Sequence, residues 1–334
     1  MSIIQNIFFY FFIWDVVISF TFYEDMKQNC SRHDIQNSYC YNGPLFDNVG
    51  QYKSCAVPGT LALTFDDAPD MHTEGTLDIL KKYNIKATFF LIGKNIDSYV
   101  NVVQRIVDEG HQIGCHTYDH GWLTNMTSDD IRKDLMLFEH TLIKHDFGGV
   151  LSNHQTPSIF RAPHGALDNE GAGVLKEFNL TSFHWSFLNG DSTIKRSSDI
   201  VQGWYAHMGG EYGTNVDDTR LKLIVQQHEK MDVTFFSLSD VCSYLSQTFQ
   251  RLKFVTLSDC VGNLPAYHTS SVQLNTNTTC LSGFSLKHRD MHFCAPDPAP
   301  LKPCVLCIIN PCTKIYLNYA LLLFHIVVSL RCLL

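Results

Sequence analysis

Short apolar segments alternate with amphipathic helical patterns through the middle of this chain, and this alternation most constrains its fold. Repeated strand and helix units predict parallel strands, either closed as a (β/α) barrel or open with helices on both faces. The carboxyl ends of barrel strands share one rim. Polar residues that follow several of these strands are therefore expected to meet at that rim.

The predicted elements follow from runs of apolar residues and from apolar residues at helical spacing. The predicted strands are 61–65, 85–92, 111–115, 159–161, 180–186, 221–227 and 253–257. The predicted helices are 74–83, 97–109, one opening at Thr127 with a stripe of Ile131, Leu135, Phe138 and Leu142, and then 170–178, 198–208 and 238–249.

The first strand ends in two adjacent carboxylates. Residues 61–70 read Leu-Ala-Leu-Thr-Phe-Asp-Asp-Ala-Pro-Asp, so Asp66 and Asp67 close an apolar run. Neighbouring residues of an extended strand point to opposite faces, and the two acids are therefore expected to differ in role. One would bind a metal and the other would handle a proton. The alternative is a turn that merely ends a strand.

Two histidines follow the third predicted strand. His116 and His120 are four residues apart, a spacing that places both imidazoles on one side of a helical turn, where they can meet one cation. With Asp67 they make three protein ligands, which leave one position open as in catalytic zinc sites. Taken alone, such a pair is also common as incidental surface or core histidine.

Later strands end in three more polar segments. Arg161 opens Arg-Ala-Pro-His-Gly, Asp191 closes a segment that begins at Trp185, and His228 follows an apolar strand. An arginine can orient and keep ionised a nearby carboxylate, here Asp66. His228 could act as a general acid with its tautomer held by Asp191, although a buried, hydrogen-bonded histidine is the alternative.

The order of these segments resembles the polysaccharide deacetylase family, which includes chitin and peptidoglycan deacetylases, over about residues 57–259. The segment 85–93 also resembles the second strand of that family. The resemblance implies a distorted (β/α) barrel that removes N-acetyl groups from chitin or a chitin-like N-acetylglucosamine polymer of the cell wall, using one divalent metal, Zn²⁺ or Co²⁺. It implies Asp66 as general base, Asp67, His116 and His120 as metal ligands, Arg161 as the partner of Asp66, the backbone N–H of His164 at the oxyanion, and His228 as general acid tuned by Asp191.

Five positions depart from the family pattern. Ala68 replaces Gly, His164 replaces Tyr, Leu188 replaces Asp, Ser192 replaces Trp, and Gln226 replaces an apolar residue. The change to serine removes a sugar-stacking surface, which motivates an alternative: a catalytically impaired carbohydrate-binding wall protein that keeps the fold. A third interpretation, a structural surface protein with accidental motifs, requires the acids and histidines not to converge.

The flanking sequence predicts a secreted or surface-held protein. Residues 1–22 resemble a signal sequence or signal anchor, 23–54 form an N-terminal extension, and 55–260 form the catalytic domain. Residues 261–314 are a cysteine-containing tail or stalk, and 315–334 are either a GPI-anchor signal or a membrane helix. Glycosylation sequons occur at Asn29, Asn125, Asn179 and Asn277.

The cysteine and charge patterns indicate the redox compartment of the protein and the classes of partner that it can bind. Most of the 12 cysteines lie in the flanks, which favours disulfides in an oxidising compartment. Cys304, Cys307 and Cys312 could form a zinc knuckle, but no matching histidine spacing supports one. The family resemblance implies that Cys55 pairs with Cys260. A net charge of −8 without a basic cluster argues against a nucleic-acid partner, and a monomer is expected.

Overall fold

The computed structural model describes residues 45–145, 147–148, 151, 154–208 and 218–270, together with the backbone of 281–286 and 289–293. The predicted signal sequence and the predicted C-terminal anchor lie outside these described residues. Within the described part of the chain, no helix combines the length and the apolar character needed to cross a bilayer.

A sheet of eight parallel strands forms the centre of the molecule, and two antiparallel strand pairs accompany it. The strands are β1 Thr60–Ala68, β2 Thr88–Leu91, β3 Gln112–Cys115, β4 Gln155–Pro157, β5 Ile159–Phe160, β6 Thr181–Ser182, β7 Phe187–Leu188, β8 Lys222–Gln227, β9 Lys253–Phe254, β10 Tyr267–Thr269, β11 Leu281–Leu286 and β12 Arg289–Phe293.

Helices connect most of the parallel strands. They are α1 Thr73–Lys82, α2 Gly93–Ile96, α3 Val100–Asp108, α4 Ser128–His145, α5 Asn169–Glu177, α6 Ser197–His207, α7 Asp232–Thr248 and α8 Leu257–Cys260. Short 3₁₀ turns lie at Leu123–Asn125, Pro163–Gly165 and Asp218–Arg220.

The sheet curls into a distorted (β/α) barrel, as the family resemblance implied. Its strand order is β6-β5-β3-β2-β1-β8-β7, with β9 also paired to β1. The two end strands, β6 and β7, follow one another in the chain and are joined only by residues 183–186. The ends of the sheet therefore come close together while the strand ladder stays open between them.

Strand β1 is buried on both faces, which agrees with the largely apolar run from Leu61 to Phe65. Leu61, Leu63 and Phe65 belong to the larger hydrophobic cluster with the helices. Ala62 belongs to a second cluster that it shares with Phe90 and other strand residues. Alternate residues of β1 thus pack in two separate cores, and the strand is fixed in register between β2 and β8.

Several predicted boundaries are wrong. Only Thr181–Ser182 of the predicted strand 180–186 forms a strand, β6, and the next strand, β7, begins after the predicted range at Phe187. The predicted helix 97–109 begins only at Val100, after the separate short helix α2. The predicted strand 253–257 stops at Phe254 because Thr256 caps α8. Helix α7 begins at Asp232, six residues before the predicted start.

A disulfide joins Cys55 and Cys260, as the family resemblance implied. The pair connects the segment before β1 with the last residue of α8, and the backbone N–H of Ala56 donates to the Cys260 carbonyl oxygen over 2.9 Å. The bond therefore fastens the start of the barrel to its last described helix. Cys115 and Cys242 are buried free thiols.

Candidate active site

The two carboxylates at the end of β1 have different partners. The pairing of β1 with β2 shifts register between Phe65 and Ala68, and Asp67 has a φ of 69°. Both acids are buried. Asp66 faces Arg161, whereas Asp67 faces His116 and His120. The predicted difference in surroundings is present, although the left-handed backbone at Asp67 helps to create it.

Asp67 and the two histidines form a compact three-ligand group. The Oδ1 atom of Asp67 lies 2.9 Å from Nε2 of His120 and 3.3 Å from Nε2 of His116. One ligand atom from each residue lies within 4.8 Å of the others. The Nδ1 atom of His116 donates to the Arg161 carbonyl oxygen over 2.8 Å, which leaves its Nε2 lone pair directed at the group.

This donor set fits a divalent metal ion. Two imidazole nitrogens and one carboxylate oxygen are common ligands of catalytic zinc. Oδ1 of Asp67 is buried and has no hydrogen bond of good geometry among the described residues, so its lone pairs remain available. Burial opposes ionisation of Asp67, but His116, His120 and Lys230 outweigh it and hold the pKa of this carboxyl far below its ordinary value.

The histidines do not lie on a helical turn, so that part of the prediction is wrong. They lie in the loop between β3 and the turn Leu123–Asn125, with positive φ values of 66° at Thr117 and 61° at His120. The backbone N–H of His120 donates to Oγ1 of Thr117 over 2.9 Å. The loop reverses direction and thereby brings the second imidazole back to the first.

Asp134 on α4 holds this loop, and sequence reasoning missed it. Its two carboxylate oxygens accept the backbone N–H groups of Tyr118 over 2.6 Å and Asp119 over 3.1 Å. Burial raises the pKa of Asp134 to about 6, although these hydrogen bonds oppose the rise. The available signal was an acid on the buried stripe of α4, three residues after Ile131 and four before Phe138.

Lys230 was also missed. Its Nζ lies 2.5 Å from Oδ2 of Asp67, the oxygen that does not face the histidines, and its side chain is 40% exposed. Its position two residues after His228, at the rim, was the signal. Lys230 adds positive charge beside the carboxylate and can reach solvent.

Arg161 binds Asp66 from a fully enclosed position. Its Nη1 donates to Oδ1 of Asp66 over 2.8 Å and to Oγ1 of Thr64 over 2.5 Å, and its side chain is 1% exposed. Its Nη2 donates to the His184 carbonyl oxygen over 2.9 Å, and the guanidinium lies over the ring of Phe90. Burial raises the pKa of Asp66, but Arg161 and the nearby histidines outweigh burial and lower it.

His228 and Asp191 form the predicted pair. The Nδ1 atom of His228 lies 3.0 Å from Oδ1 of Asp191, and the His228 backbone N–H donates to Oδ2 over 2.6 Å. Thr234 donates to the same Oδ2 over 2.7 Å. Burial favours the neutral imidazole, but the hydrogen bond and charge of Asp191, with Asp66 and Asp67, raise the pKa of His228 to about 9.

His164 lies beside the group formed by Asp67, His116 and His120, and a tryptophan stacks on its ring. It has a φ of 60° in the turn Pro163–Gly165, and its ring centroid is 4.7 Å from that of His120. Trp122 stacks on His164 with centroids 4.0 Å apart and ring planes within 11°. Trp122 is 50% exposed, and the sequence analysis missed it. An aromatic residue two positions after His120 was the signal.

Residues 53–183 match the polysaccharide deacetylase family model. Residues 53–183 therefore carry the sequence pattern of a polysaccharide deacetylase domain. The domain shares 36% identity over 150 residues with a peptidoglycan-N-acetylglucosamine deacetylase of Bacillus cereus, which covers 45% of this chain and 48% of that protein.

A second curated relative is a chitin deacetylase of Pestalotiopsis sp, 45% identical over 144 residues, which covers 42% of this chain and 48% of that protein. The chain thus spans about half the length of these two relatives. Among solved structures, the chitin deacetylase of Colletotrichum lindemuthianum matches with a TM-score of 0.58 at 24% identity, covering 69% of this chain and 99% of that chain. That structural match supports the fold.

Proposed function

We propose that this protein is a metal-dependent hydrolase that removes N-acetyl groups from chitin or a chitin-like N-acetylglucosamine polymer of the cell wall. The observation that carries the proposal is the convergence of three groups at one rim: the Asp67 triad, the Arg161–Asp66 pair and the Asp191–His228 pair. This convergence also argues against accidental motifs.

Asp67, His116 and His120 would hold the metal, which supplies Lewis acidity toward the substrate carbonyl when bound. Asp66 accepts a proton as water attacks the acetyl carbon, because Arg161 keeps its carboxylate ionised. The backbone N–H of His164 donates to the developing oxyanion. His228 gives a proton to the amide nitrogen as the carbon–nitrogen bond breaks, and acetate and a free amine result.

The rim also offers a surface for a sugar. Trp122 is half exposed and is linked through the stacked ring of His164 to the metal ligands. Aromatic rings at a pocket edge are a common feature of ligand sites. We infer that Trp122 takes over the sugar-stacking role that Ser192, which is exposed, cannot provide.

The direct test is acetate release by the full-length, zinc-loaded chain from chitin oligomers and from acetylated peptidoglycan fragments. Asp66→Asn and His228→Ala should each reduce the rate by about 10²-fold or more, because each removes one proton-transfer group. Asp78→Asn and His145→Ala are matched controls, since both residues form ion pairs away from the three groups. Polymer binding without acetate release would favour the impaired binding protein instead.

We propose a secreted or cell-surface location for this protein. The Cys55–Cys260 bond fits an oxidising compartment. Asn125 and Asn179, the two sequons within the described residues, are exposed. Treatment with an N-glycosidase should therefore lower the mass of the protein isolated from a secreting eukaryotic cell, and Asn125→Gln and Asn179→Gln should each remove part of that change.

A further inference from the structure

Gln226, at the carboxyl end of β8, contacts both proposed proton-transfer groups. Its Nε2 donates to Oδ2 of Asp66 over 2.9 Å and lies 3.1 Å from Nε2 of His228. The side chain is only 4% exposed. Arg161 already donates to Oδ1 of Asp66, so a different donor binds each carboxylate oxygen. An apolar residue is usual at this position in the family, and it could make neither contact.

The chemistry of the amide fixes how it is oriented. With its oxygen turned toward Asp66, two acceptors would face one another, so the NH₂ group must point at the carboxylate. One N–H of the amide then donates to Asp66. The second N–H can donate to His228 only if Nε2 of that imidazole has a lone pair. Because Asp191 accepts from Nδ1, the arrangement fits the imidazole that carries its proton on Nδ1 alone, which is the form of His228 after it has given up its Nε2 proton.

Protonation of Nε2 would break this arrangement. An imidazolium N–H would face the NH₂ group of Gln226, and two donors cannot bond to each other. Oε1 of Gln226 is buried and has no hydrogen-bond partner among the described residues, so rotation of the amide could offer it to His228. That rotation would remove the bond to Asp66 and turn an oxygen toward the carboxylate.

We propose that Gln226 is a positioning residue that couples the base to the acid by fixing Oδ2 of Asp66 and Nε2 of His228 relative to one another. The inference rests on the proposed function. As a consequence, Gln226 opposes protonation of His228, whereas the carboxylates of Asp191, Asp66 and Asp67 favour it. Glu229, next in the chain, and Lys230, bound to Asp67, are the other ionisable groups near His228.

The test compares Gln226→Met with Gln227→Met in the full-length chain. Methionine keeps the length of glutamine but donates no hydrogen bond. Gln227 is the matched control because it is buried on the same strand and accepts instead from Asn189 over 3.1 Å. Gln226→Met should lower kcat about tenfold with little change in KM, and should move the basic limb of the pH profile to higher pH. Gln227→Met should leave that limb in place.

An NMR titration of the His228 ring gives a readout that needs no turnover. Its pKa should rise in Gln226→Met relative to the wild type and to Gln227→Met. An unchanged or lower pKa together with an unchanged kcat would overturn the inference, as would equal effects of the two substitutions. If the wild type releases no acetate, the proposed function fails, while the NMR result still decides whether Gln226 controls His228.

Discussion

At the scale of single residues, one fully buried carboxylate controls the protonation of His228. Asp191 binds the imidazole, the backbone N–H of His228 and the hydroxyl of Thr234. It raises the pKa of His228, so the acid form persists through neutral pH and is lost as pH rises through about 9. Acetate release should therefore decline above that pH.

Asp191→Asn should move this decline to lower pH by about one unit or more, because the negative charge beside the imidazole is removed. The pH dependence of kcat measures the shift. Asp199→Asn is the control, since Asp199 forms a surface pair with Arg196 and should leave the profile unchanged. A basic limb at the same pH in Asp191→Asn would contradict the assigned role of His228.

Trp122 gives a second prediction at this scale. Trp122→Ala should raise KM for chitin oligomers about three- to tenfold, the effect of losing an aromatic contact of roughly 0.5–1.5 kcal/mol. The turnover number should change little, because the indole lies outside the proton-transfer groups. Trp122→Phe should retain most of the affinity. An unaltered KM for every oligomer length in Trp122→Ala would remove Trp122 from the substrate site.

At the scale of elements, α4 supports the loop that presents the histidines. Asp134→Asn leaves one of the two loop N–H groups facing an NH₂ group, so the backbone around Tyr118 and Asp119 should loosen. Supporting hydrogen bonds of this kind typically change metal affinity by about 10- to 100-fold. Zinc competition with a fluorescent chelator measures the loss. Asp129 is exposed on the same helix, so Asp129→Asn should bind zinc with the affinity of the wild type. A wild-type zinc affinity in Asp134→Asn would show that Asp134 does not support the histidine loop.

The sequence predicts the strands better than the loops between them. Buried parallel strands need continuous apolar residues, and β1 and β8 carry such runs, so their positions can be predicted. The loop after β3 depends on positive φ values at Thr117 and His120, and a positive φ is rare for a β-branched residue such as Thr117. The spacing therefore predicts that two histidines meet but gives the wrong backbone geometry.

The same limit applies to the site. Topology alone brings four of the site residues to one rim, because each lies in the last residues of a strand or directly after one: Asp66, Asp67, Arg161 and His228. Asp134 comes from the middle of a helix, and its contact with the loop depends on how α4 packs. The bonds of Gln226 likewise depend on side-chain orientation. Such contacts arise from tertiary packing and lie beyond any local sequence pattern.

At the scale of the whole molecule, the Cys55–Cys260 bond closes a loop with a sequence separation of 205 residues. The chain-entropy model gives a stabilisation of about 5 kcal/mol for a disulfide that closes a loop of this length in the unfolded chain. Adding reductant should therefore lower the urea concentration at which half of the wild-type protein is unfolded. The Cys55→Ser/Cys260→Ser double variant should start at the lower midpoint and respond little. An equal response in both proteins would assign the effect to other cysteines.

The most direct test of the central claim is a zinc titration of the metal-free, full-length chain in which bound metal and acetate release from chitin oligomers are measured together. We predict that one zinc ion binds per chain and that acetate release rises in proportion to occupancy. Asp67→Asn and His120→Ala should lose both properties, while the surface variant Asp199→Asn should keep them. Acetate release that is independent of zinc, or full zinc binding in both triad variants, would contradict the proposed metal-dependent function.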